Sequence, residues 1–408
     1  MYLNNYQYLK ITETSPLILL IILSIFIRIP VILIFGDSAL ENEWKILVNN
    51  LITNGTLSLI NFDDFLLPNL FMPPLYSYYL YILSFFNFNE QNYILLILLS
   101  QVLLASVSVA VFYKINTLFF SKKISFYSSL VFSFFPLYLY SCSQISSISL
   151  QVFFIILFFY FYFQFVNKSN ILSIIFLSII SGSLILLRGE FILILVLSLS
   201  YSYFFFRIPI KKILLIVLIV FITISPYLIR NILIFETFTI TKSLGYNLWK
   251  GNNSNSKVEG SEVLDTDLKR KIYSIEKDKY YRINFDEILL SEAIKNITGD
   301  SKKYAILFFK KLISFIFIDI NSTQANYYNP WHYIPVLLVG ITSLFGFFIS
   351  NKKSHHLNYL IMIFFLNIIL YSCFFILPRY NLIILPIQII FTNVLITSVK
   401  KKFSNSNE

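Results

Sequence analysis

The chain has 408 residues, of which 57% are hydrophobic, 18% aromatic and only 13% charged. Soluble globular proteins carry about 25% charged residues, so this composition excludes a soluble globular protein. Runs such as residues 16–35 reach the roughly 20 apolar residues that a helix needs to cross about 30 Å of hydrocarbon. The sequence therefore predicts an all-α polytopic integral membrane protein.

The net charge of +11 raises the question of nucleic-acid binding. The clustered lysines and arginines, however, lie in short turns between apolar segments, where such charges set the orientation of membrane helices. We therefore expect a lipid bilayer as partner and no nucleic acid. The 2 cysteines and 3 histidines form no metal-ligand spacing. No metal site or cofactor is predicted, and a requirement for a divalent metal stays open.

Ten segments are predicted to cross the membrane, and the short run at residues 74–86 could add an eleventh. The ten are residues 16–35, 93–113, 124–141, 145–166, 171–187, 191–206, 213–233, 331–350, 357–376 and 382–399. If 74–86 is re-entrant or interfacial, all the short basic turns fall on the side of the N-terminus. If it crosses, the turns from Lys114 to Lys212 fall on the opposite side. We prefer the first arrangement, with both termini cytoplasmic.

This topology divides the chain into three regions. They are an N-terminal transmembrane module (1–233) with a first outer loop (36–73), a large extracytoplasmic loop (234–330), and C-terminal transmembrane helices (331–408). The large loop is too long for a plain connector. Its segments 286–297 and 304–318 have an amphipathic pattern that predicts helices lying along the membrane interface.

Three acids follow the first predicted span directly: Asp37, Glu41 and Glu43. A helical pattern then runs from Trp44 to Gly55, and it places Glu41 and Trp44 on one face at positions i and i+3. One interpretation is a solvated helix N-terminus, where acids are favoured. The other is a carboxylate at the membrane boundary that acts as general base on an incoming hydroxyl or amine.

Four arginines lie in or beside the predicted spans. Arg28 is inside the first span, where an arginine usually faces a cavity or a partner, although snorkelling to the interface is an alternative. Arg188, Arg230 and Arg379 lie at the predicted outer boundaries. Each could be a boundary anchor. Together, they would form a good phosphate site, because guanidinium groups bind phosphate in bidentate fashion.

The segment "MPPLYSYY" at residues 72–79 combines two prolines with three tyrosines. Pro73 and Pro74 break a helix and expose backbone carbonyls, which is typical of a re-entrant turn that lines a cavity. The tyrosines could stack on a sugar ring, or they could belong to the aromatic belt at the interface.

Four of these motifs, in this order, resemble the GT-C fold glycosyltransferases, and specifically the bacterial branch related to protein O-mannosyltransferases and lipid A aminoarabinose transferases. They are "ENEWKILVNNLITNG" (41–55), "NLFMPPLYSYY" (69–79), "SPYLIRNILIFETFTITKSLGYNLWKGNN" (225–253) and "PRYNLIILP" (378–386). The third is the most specific match: a span ending in Pro-x-x-x-Arg-Asn leads to a short strand-like stretch and then to Gly-x-Asn-Leu-Trp-x-Gly-Asn. The middle spans contribute only hydropathy to the resemblance.

The resemblance implies a GT-C type helical bundle of about 10–11 transmembrane helices with an extracytoplasmic active site. It also implies transfer of a sugar from a polyprenyl-phosphate donor to a glycan, lipid or protein acceptor, with inversion at the sugar carbon. The resemblance does not indicate which sugar is transferred. Glu41 falls on the second acid of the family pair, and Leu40 stands where the family often has Asp. Met72 stands where many relatives have a basic residue before the two prolines.

The residue roles implied in this way fall into three groups. The catalytic acids are Glu41, Glu43 and Asp37; the donor-phosphate ligands are Arg188, Arg230, Arg379, Tyr380 and Arg28; and the substrate cavity is lined by Trp44, Pro73, Pro74, Tyr76, Asn247 and Trp249. The expected location is a bacterial inner membrane, with the site facing the periplasm or exterior. Three alternatives stay open: a flippase for a lipid-linked sugar, a ligase or polymerase acting on lipid-linked glycans, and a non-catalytic scaffold.

Overall fold

The computed structural model describes residues 14–62, 65–86, 89–322, 329–349 and 354–405. Its helices in the N-terminal half are α1 Thr14–Phe35, α2 Asn42–Asn54, α3 Pro74–Ser84, α4 Glu90–Asn116, α5 Lys122–Phe134, α6 Pro136–Ser141, α7 Ile148–Lys168, α8 Ile171–Leu187 and α9 Phe191–Phe204. They continue with α10 Ile210–Phe235, α11 Leu244–Gly251, α12 Thr266–Tyr273, α13 Tyr281–Gly299, α14 Ser301–Ile316, α15 Pro330–Ile349, α16 His355–Ser372 and α17 Asn381–Asn405. The described residues also contain one two-stranded antiparallel sheet, formed by β1 Ser58–Asn61 and β2 Leu66–Pro68.

Seven of the described helices are long and apolar enough to cross a membrane: α1, α4, α7, α10, α15, α16 and α17. They make the chain a multi-pass integral membrane protein. Helices α8 and α9 coincide with two more predicted spans but have only 17 and 14 residues. The predicted basic turn at Lys352 and Lys353 lies outside the described residues, as do parts of both predicted outer loops, residues 63–64 and 323–328.

The predicted span 124–141 is broken into α5 and α6. Phe135 between them has an extended backbone (φ −62°, ψ 117°), and Pro136 begins α6. Proline lacks the N–H that continues a helix, and it disfavours helical geometry in the residue before it. Hydropathy is continuous along residues 124–141, so it does not reveal the break. The break follows from Pro136 alone.

Helix α3 has 11 residues, which corresponds to about 16 Å of helix. This length is too short to cross the hydrocarbon core, in agreement with the preferred interpretation of residues 74–86. Pro74 occupies the first helical turn, where the missing N–H of proline has no helical partner to lose. The two prolines therefore start a short helix at the end of the first outer loop.

Polar side chains join the membrane helices at their contact faces. In α17, the side-chain amide of Asn393 donates to Ser128 Oγ of α5 at 2.5 Å and is 3.5 Å from Asn116 Oδ1 of α4. Such hydrogen bonds are favoured between membrane helices because lipid offers no alternative partner. Gly182 of α8 lies directly against Thr223 of α10, since a Cβ at this glycine would be 2.7 Å from the threonine side chain. Small and polar residues thus lie at both of these helix contacts.

The first outer loop contains α2 and the two strands. The predicted helix after the acids is confirmed, and it ends at Gly55 in the left-handed conformation (φ 65°), which glycine adopts without steric cost. Helices α13 and α14 confirm the two helices predicted in the large loop.

The strand-like stretch expected after Arg230-Asn231 is not present. Residues 236–243 have no regular secondary structure. The carbonyl oxygens of Thr239 and Ile240 accept hydrogen bonds from the side chain of Asn231. At these two positions the Asn231 side chain, rather than a neighbouring strand, satisfies the carbonyl groups.

Candidate active site

The three acids after α1 differ in their surroundings. The Asp37 carboxylate accepts a hydrogen bond from the backbone N–H of Ile145 at 2.6 Å. Burial raises the pKa of Asp37, the Ile145 N–H opposes this effect, and the charge of Glu41 adds to it. Glu41 is exposed at the N-cap position of α2, and its side chain makes no capping hydrogen bond. Glu43 lies in the first turn of α2 and is partly buried.

Helix α2 is joined to the bundle through aromatic contacts. The Trp44 ring meets the Tyr76 ring edge-on, with centroids 4.8 Å apart. Tyr76 is 1% exposed, and its hydroxyl donates to Gln101 Oε1 of α4 at 3.0 Å. The Gln101 amide in turn donates to the carbonyls of Cys142 and Gln144. These contacts fix α2, α3 and the turn before α7 to the N-terminal half of α4.

The segment before the two prolines is held by Asn69. Its side-chain oxygen accepts from the N–H groups of Phe71 and Met72, and its amide donates to the Met72 carbonyl. The Asn69 carbonyl accepts from Arg230 Nη1 at 2.7 Å and from the Tyr227 hydroxyl at 3.2 Å. Arg230 therefore ties the first outer loop to the end of α10. Pro73 is the N-cap of α3 and Pro74 its first residue.

A second group of interacting residues is centred on Arg188 and Tyr380. Arg188 Nε lies 2.5 Å from Glu190 Oε1, and Tyr371 donates to the same carboxylate oxygen at 3.0 Å. The Arg188 guanidinium lies 5.0 Å from the Tyr380 ring centroid and 5.6 Å from that of Tyr371. Arg379 is exposed, with its guanidinium 5.9 Å from the Tyr380 ring centroid. The turn after α8 and the turn before α17 thus form one cluster.

The acids and the arginine cluster lie at the same end of the bundle. Leu186, two residues before Arg188, packs in an apolar cluster that also contains Trp44 of α2 and Tyr227 of α10. Helix α3 also packs against α8. The structure therefore brings together the first outer loop, Arg188, Arg230 and the Arg379–Tyr380 turn.

Arg28 is the candidate that lies apart from this region. Its side chain is fully buried, and Nη1 donates to Ser24 Oγ at 2.5 Å and to Ser133 Oγ at 3.1 Å. The guanidinium lies 4.8 Å from the Tyr138 ring centroid. These contacts belong to α1, α5 and α6, so Arg28 joins three helices inside the bundle.

The Gly-x-Asn-Leu-Trp-x-Gly-Asn motif forms α11 and the turn after it. A Cβ at Gly245 would lie 2.0 Å from the Asp286 carbonyl oxygen, and one at Gly251 would lie 2.0 Å from the Phe374 carbonyl oxygen. Both glycines are thus required by close backbone contacts. Trp249 is 2% exposed and packs with Leu268, Ile272, Leu289 and Ala293, a position that favours a structural role. Asn247 is partly buried.

Two cations near these residues were not among the predicted site residues. Lys250 forms an ion pair with Glu262 and lies 4.9 Å from the Phe375 ring centroid. Arg282 of α13 lies 4.6 Å from the Phe71 ring centroid. For Lys250, the sequence offered one signal: the residue lies inside the Gly-x-Asn-Leu-Trp-x-Gly-Asn motif. Arg282 had no signal, because it is one charge in a mixed amphipathic helix.

Tyr246 connects this region to the first outer loop. Its ring lies 5.2 Å from that of Phe71, and its hydroxyl donates to Glu262 at 2.7 Å. Burial raises the pKa of Tyr246, and the charges of Glu262 and Glu43 raise it further, whereas Arg282 lowers it. Glu43 and Arg282 therefore lie within electrostatic reach of the same phenol. Among the described residues, no group of three or more His, Cys, Asp or Glu could hold a metal ion.

Comparisons with known proteins establish the fold. The oligosaccharyltransferase of Archaeoglobus fulgidus in its apo form matches 96% of this chain with a TM-score of 0.58 at 11% identity. The same enzyme tethered to an acceptor peptide containing the NVT sequon matches with a TM-score of 0.57 at 11% identity, again over 96% of this chain. The chain spans about half the length of these relatives, 51% and 50%. It therefore has the GT-C fold, as the sequence motifs predicted.

A further solved structure is ArnT from Cupriavidus metallidurans bound to undecaprenyl phosphate, with 11% identity and a TM-score of 0.45 over 94% of this chain and 77% of that one. No protein-family model matches the sequence. A comparison with curated proteins finds no similar sequence.

Proposed function

We propose that this GT-C fold protein is a membrane glycosyltransferase that moves a sugar from a polyprenyl-phosphate donor to an acceptor on the extracytoplasmic side, with inversion at the sugar carbon. The observation that carries the proposal is the position of the first-loop acids at the same end of the bundle as the Arg188–Tyr380 cluster. Acids and cations are the two groups that this reaction requires.

Glu41 is the best candidate for the base. Its exposed carboxylate has no hydrogen-bond or ion-pair partner among the described residues, so it is free to accept a proton. Glu43 is second, since it is partly buried in the same helical turn. Asp37 is third, because its carboxylate already accepts the Ile145 N–H.

The donor phosphate needs a cation more than an acid, because it leaves with a charge that it already carries. The guanidinium of Arg379 is exposed and has only the Tyr380 ring as a partner in the described chain. Arg188 is oriented by Glu190, and a positioned cation of this kind stabilises developing charge without reorganisation. Arg230 uses one nitrogen on the Asn69 carbonyl, so we assign it mainly to holding the first outer loop.

The reaction then balances in one displacement step. The acceptor hydroxyl or amine gives its proton to Glu41 as its oxygen or nitrogen forms a bond to the anomeric carbon of the sugar. The bond from that carbon to the phosphate oxygen breaks, and the electron pair stays on the phosphate. Polyprenyl phosphate leaves beside the arginines, and attack from the opposite face inverts the sugar carbon.

The test is incubation of the purified protein, together with membrane extract as a source of acceptors, with a panel of polyprenyl-phosphate sugars. Mass spectrometry follows the conversion of each donor to polyprenyl phosphate and a glycosylated product. We expect one donor to be consumed by the wild type, and Glu41→Gln to bind that donor but lower transfer by about 100-fold or more. The matched control is Asp267→Asn, which changes an exposed acid near the start of another loop helix and should keep full activity.

Two results would contradict the proposal. One is full transfer by Glu41→Gln, which would remove the base assignment. The other is passage of the donor across a vesicle membrane with no release of polyprenyl phosphate, since this outcome identifies a flippase.

A further inference from the structure

We propose that Arg282 of α13 forms an anion-binding site for a substrate phosphate group, at the edge of the first outer loop and apart from the Arg188–Tyr380 cluster. The proposal rests on the proposed function and adds a phosphate ligand that no sequence motif marks. Phe71, one residue before Met72, lies directly against this arginine.

The first observation is the way in which the guanidinium is held. It lies 4.6 Å from the Phe71 ring centroid and 5.5 Å from that of Phe285. Ring contacts of this kind use the flat face of the group and leave its in-plane N–H donors available. Among the described residues, none accepts a hydrogen bond from Arg282 or pairs with it as an ion.

The second observation is the contrast with other arginines. Arg188 is paired with Glu190, Arg230 donates to the Asn69 carbonyl, and Arg270 is paired with Asp267. Arg282 is partly buried, and burial lowers its pKa. Partial burial leaves the guanidinium with less water to solvate its charge, and a bound phosphate would replace that water through bidentate hydrogen bonds.

The third observation concerns the nearest acid on the same helix. Asp286 lies one turn after Arg282, but its carboxylate accepts the backbone N–H of Tyr246 at 2.9 Å. Asp286 is 4% exposed, and the Gly245–Asp286 backbone contact fixes its position. Asp286 therefore attracts Arg282 electrostatically, but its carboxylate accepts no hydrogen bond from the Arg282 guanidinium.

The fourth observation is the location. The Phe71 backbone N–H donates to Asn69, which Arg230 and Tyr227 hold against α10. The backbone N–H of Lys242 donates to the neighbouring Leu70 carbonyl at 2.6 Å. The surface that supports Arg282 is thus fixed from several sides, so the guanidinium is preorganised against Phe71 of the first outer loop.

A phosphate at this position could come from two sources: the headgroup of the polyprenyl-phosphate donor or a phosphorylated, water-soluble sugar. The experiment therefore uses full-length protein in phosphatidylcholine nanodiscs and two probes. Undecaprenyl phosphate is added to the bilayer and its binding is followed by native mass spectrometry. Glucose 1-phosphate is added to the solution and its binding is followed by calorimetry, with inorganic phosphate as a competitor.

We expect Arg282→Gln to weaken binding of one probe by about 10-fold or more, and Arg282→Lys to weaken it less, since lysine keeps the charge but not the bidentate geometry. Arg270→Gln, which removes an exposed outer-loop arginine, should stay within about twofold of the wild type. The probe that loses affinity identifies the source. The melting temperature of each variant confirms folding, and Arg282→Lys serves if Arg282→Gln is unstable.

The proposal is overturned if the wild type binds neither probe, if Arg282→Gln binds both as the wild type does, or if Arg270→Gln loses as much affinity. These outcomes are independent of sugar transfer. If no donor supports transfer but binding depends on Arg282, the proposed function fails and the anion site stands. If transfer occurs and binding does not depend on Arg282, the reverse holds.

Discussion

Arg188 and Tyr380 come from distant parts of the chain, and the Arg188 guanidinium carbon lies 5.0 Å from the centre of the Tyr380 ring. The contact joins the turn between α8 and α9 to the turn before α17. Glu190 completes the cluster by accepting hydrogen bonds from both Arg188 and Tyr371. A cation that is oriented by a carboxylate and two rings is suited to hold a phosphate group in one geometry.

This cluster predicts a specific cost for removing Glu190. Glu190→Gln should lower the free energy of unfolding by about 1 kcal/mol, because both residues of the ion pair are partly exposed and hydrogen bonds to charged groups contribute modestly there. It should also weaken binding of undecaprenyl phosphate, since Arg188 loses its orientation. Thermal unfolding in detergent and native mass spectrometry measure the two effects. The control Asp267→Asn breaks the exposed pair with Arg270 and should change neither.

A second prediction concerns Gly251. Gly251→Ala places a Cβ 2.0 Å from the Phe374 carbonyl oxygen, so the turn after α11 must move away from the segment that leads to Arg379. We expect a loss of about 1–3 kcal/mol in the free energy of unfolding together with reduced sugar transfer. Gly299→Ala is the matched control, because nothing lies within 4 Å of a Cβ at that position. Equal melting temperatures for the two variants would show that the contact is unimportant.

A third prediction concerns the pH dependence of stability. Lys311 of α14 is fully buried and donates to the Gly251 carbonyl oxygen and to Asn252 Oδ1. Burial lowers the pKa of Lys311 from 10.5 to about 7. Between these two values the unfolded chain binds a proton that the folded chain does not, so this lysine makes stability rise with pH, by at most about 1.4 kcal/mol per pH unit.

The measurement is the melting temperature from pH 7 to pH 9 for the wild type, for Lys311→Met and for Lys310→Met, in which an exposed neighbour is changed. The wild type and Lys310→Met should gain stability with pH relative to Lys311→Met. Parallel pH profiles for all three proteins would contradict the assignment.

A fourth prediction tests which side of the membrane carries the site. Cys373 is exposed in the turn before Arg379, whereas Cys142 is buried. If this turn faces outward, a membrane-impermeant maleimide added to intact cells should label the wild type. Burial raises the pKa of the Cys373 thiol, so the labelling rate should increase toward alkaline pH.

The Cys373→Ser variant should remain unlabelled in intact cells, and it serves as the control for reaction at Cys142. Labelling of Cys373 only after the cells are opened would place the turn, and with it Arg379, on the cytoplasmic side. That result would reverse the topology predicted from the basic turns.

Part of the candidate site could be predicted from the sequence because the signals are local. Glu41, Arg230 and the Arg379–Tyr380 pair each belong to a short motif with recognisable spacing. Arg282 could not be found in this way, since its contact with Phe71 joins two segments that lie far apart in the sequence. Trp249 belongs to a clear motif, yet the structure places it in an apolar cluster. A motif identifies a residue but not the direction in which its side chain packs.

By itself, the sequence determined the seven membrane-spanning helices of the described chain, out of ten predicted, together with the helix after the acids and the helices of the large loop. Apolar runs, amphipathic periods and a terminal glycine act within a few neighbouring residues, so they can be read directly. Only the tertiary structure decided that Arg28 lies inside the bundle, that Arg230 holds the first outer loop and that Arg282 meets Phe71. Each of these contacts joins residues that are distant in the sequence. Such contacts form only when the whole chain packs, so they cannot be read from local patterns.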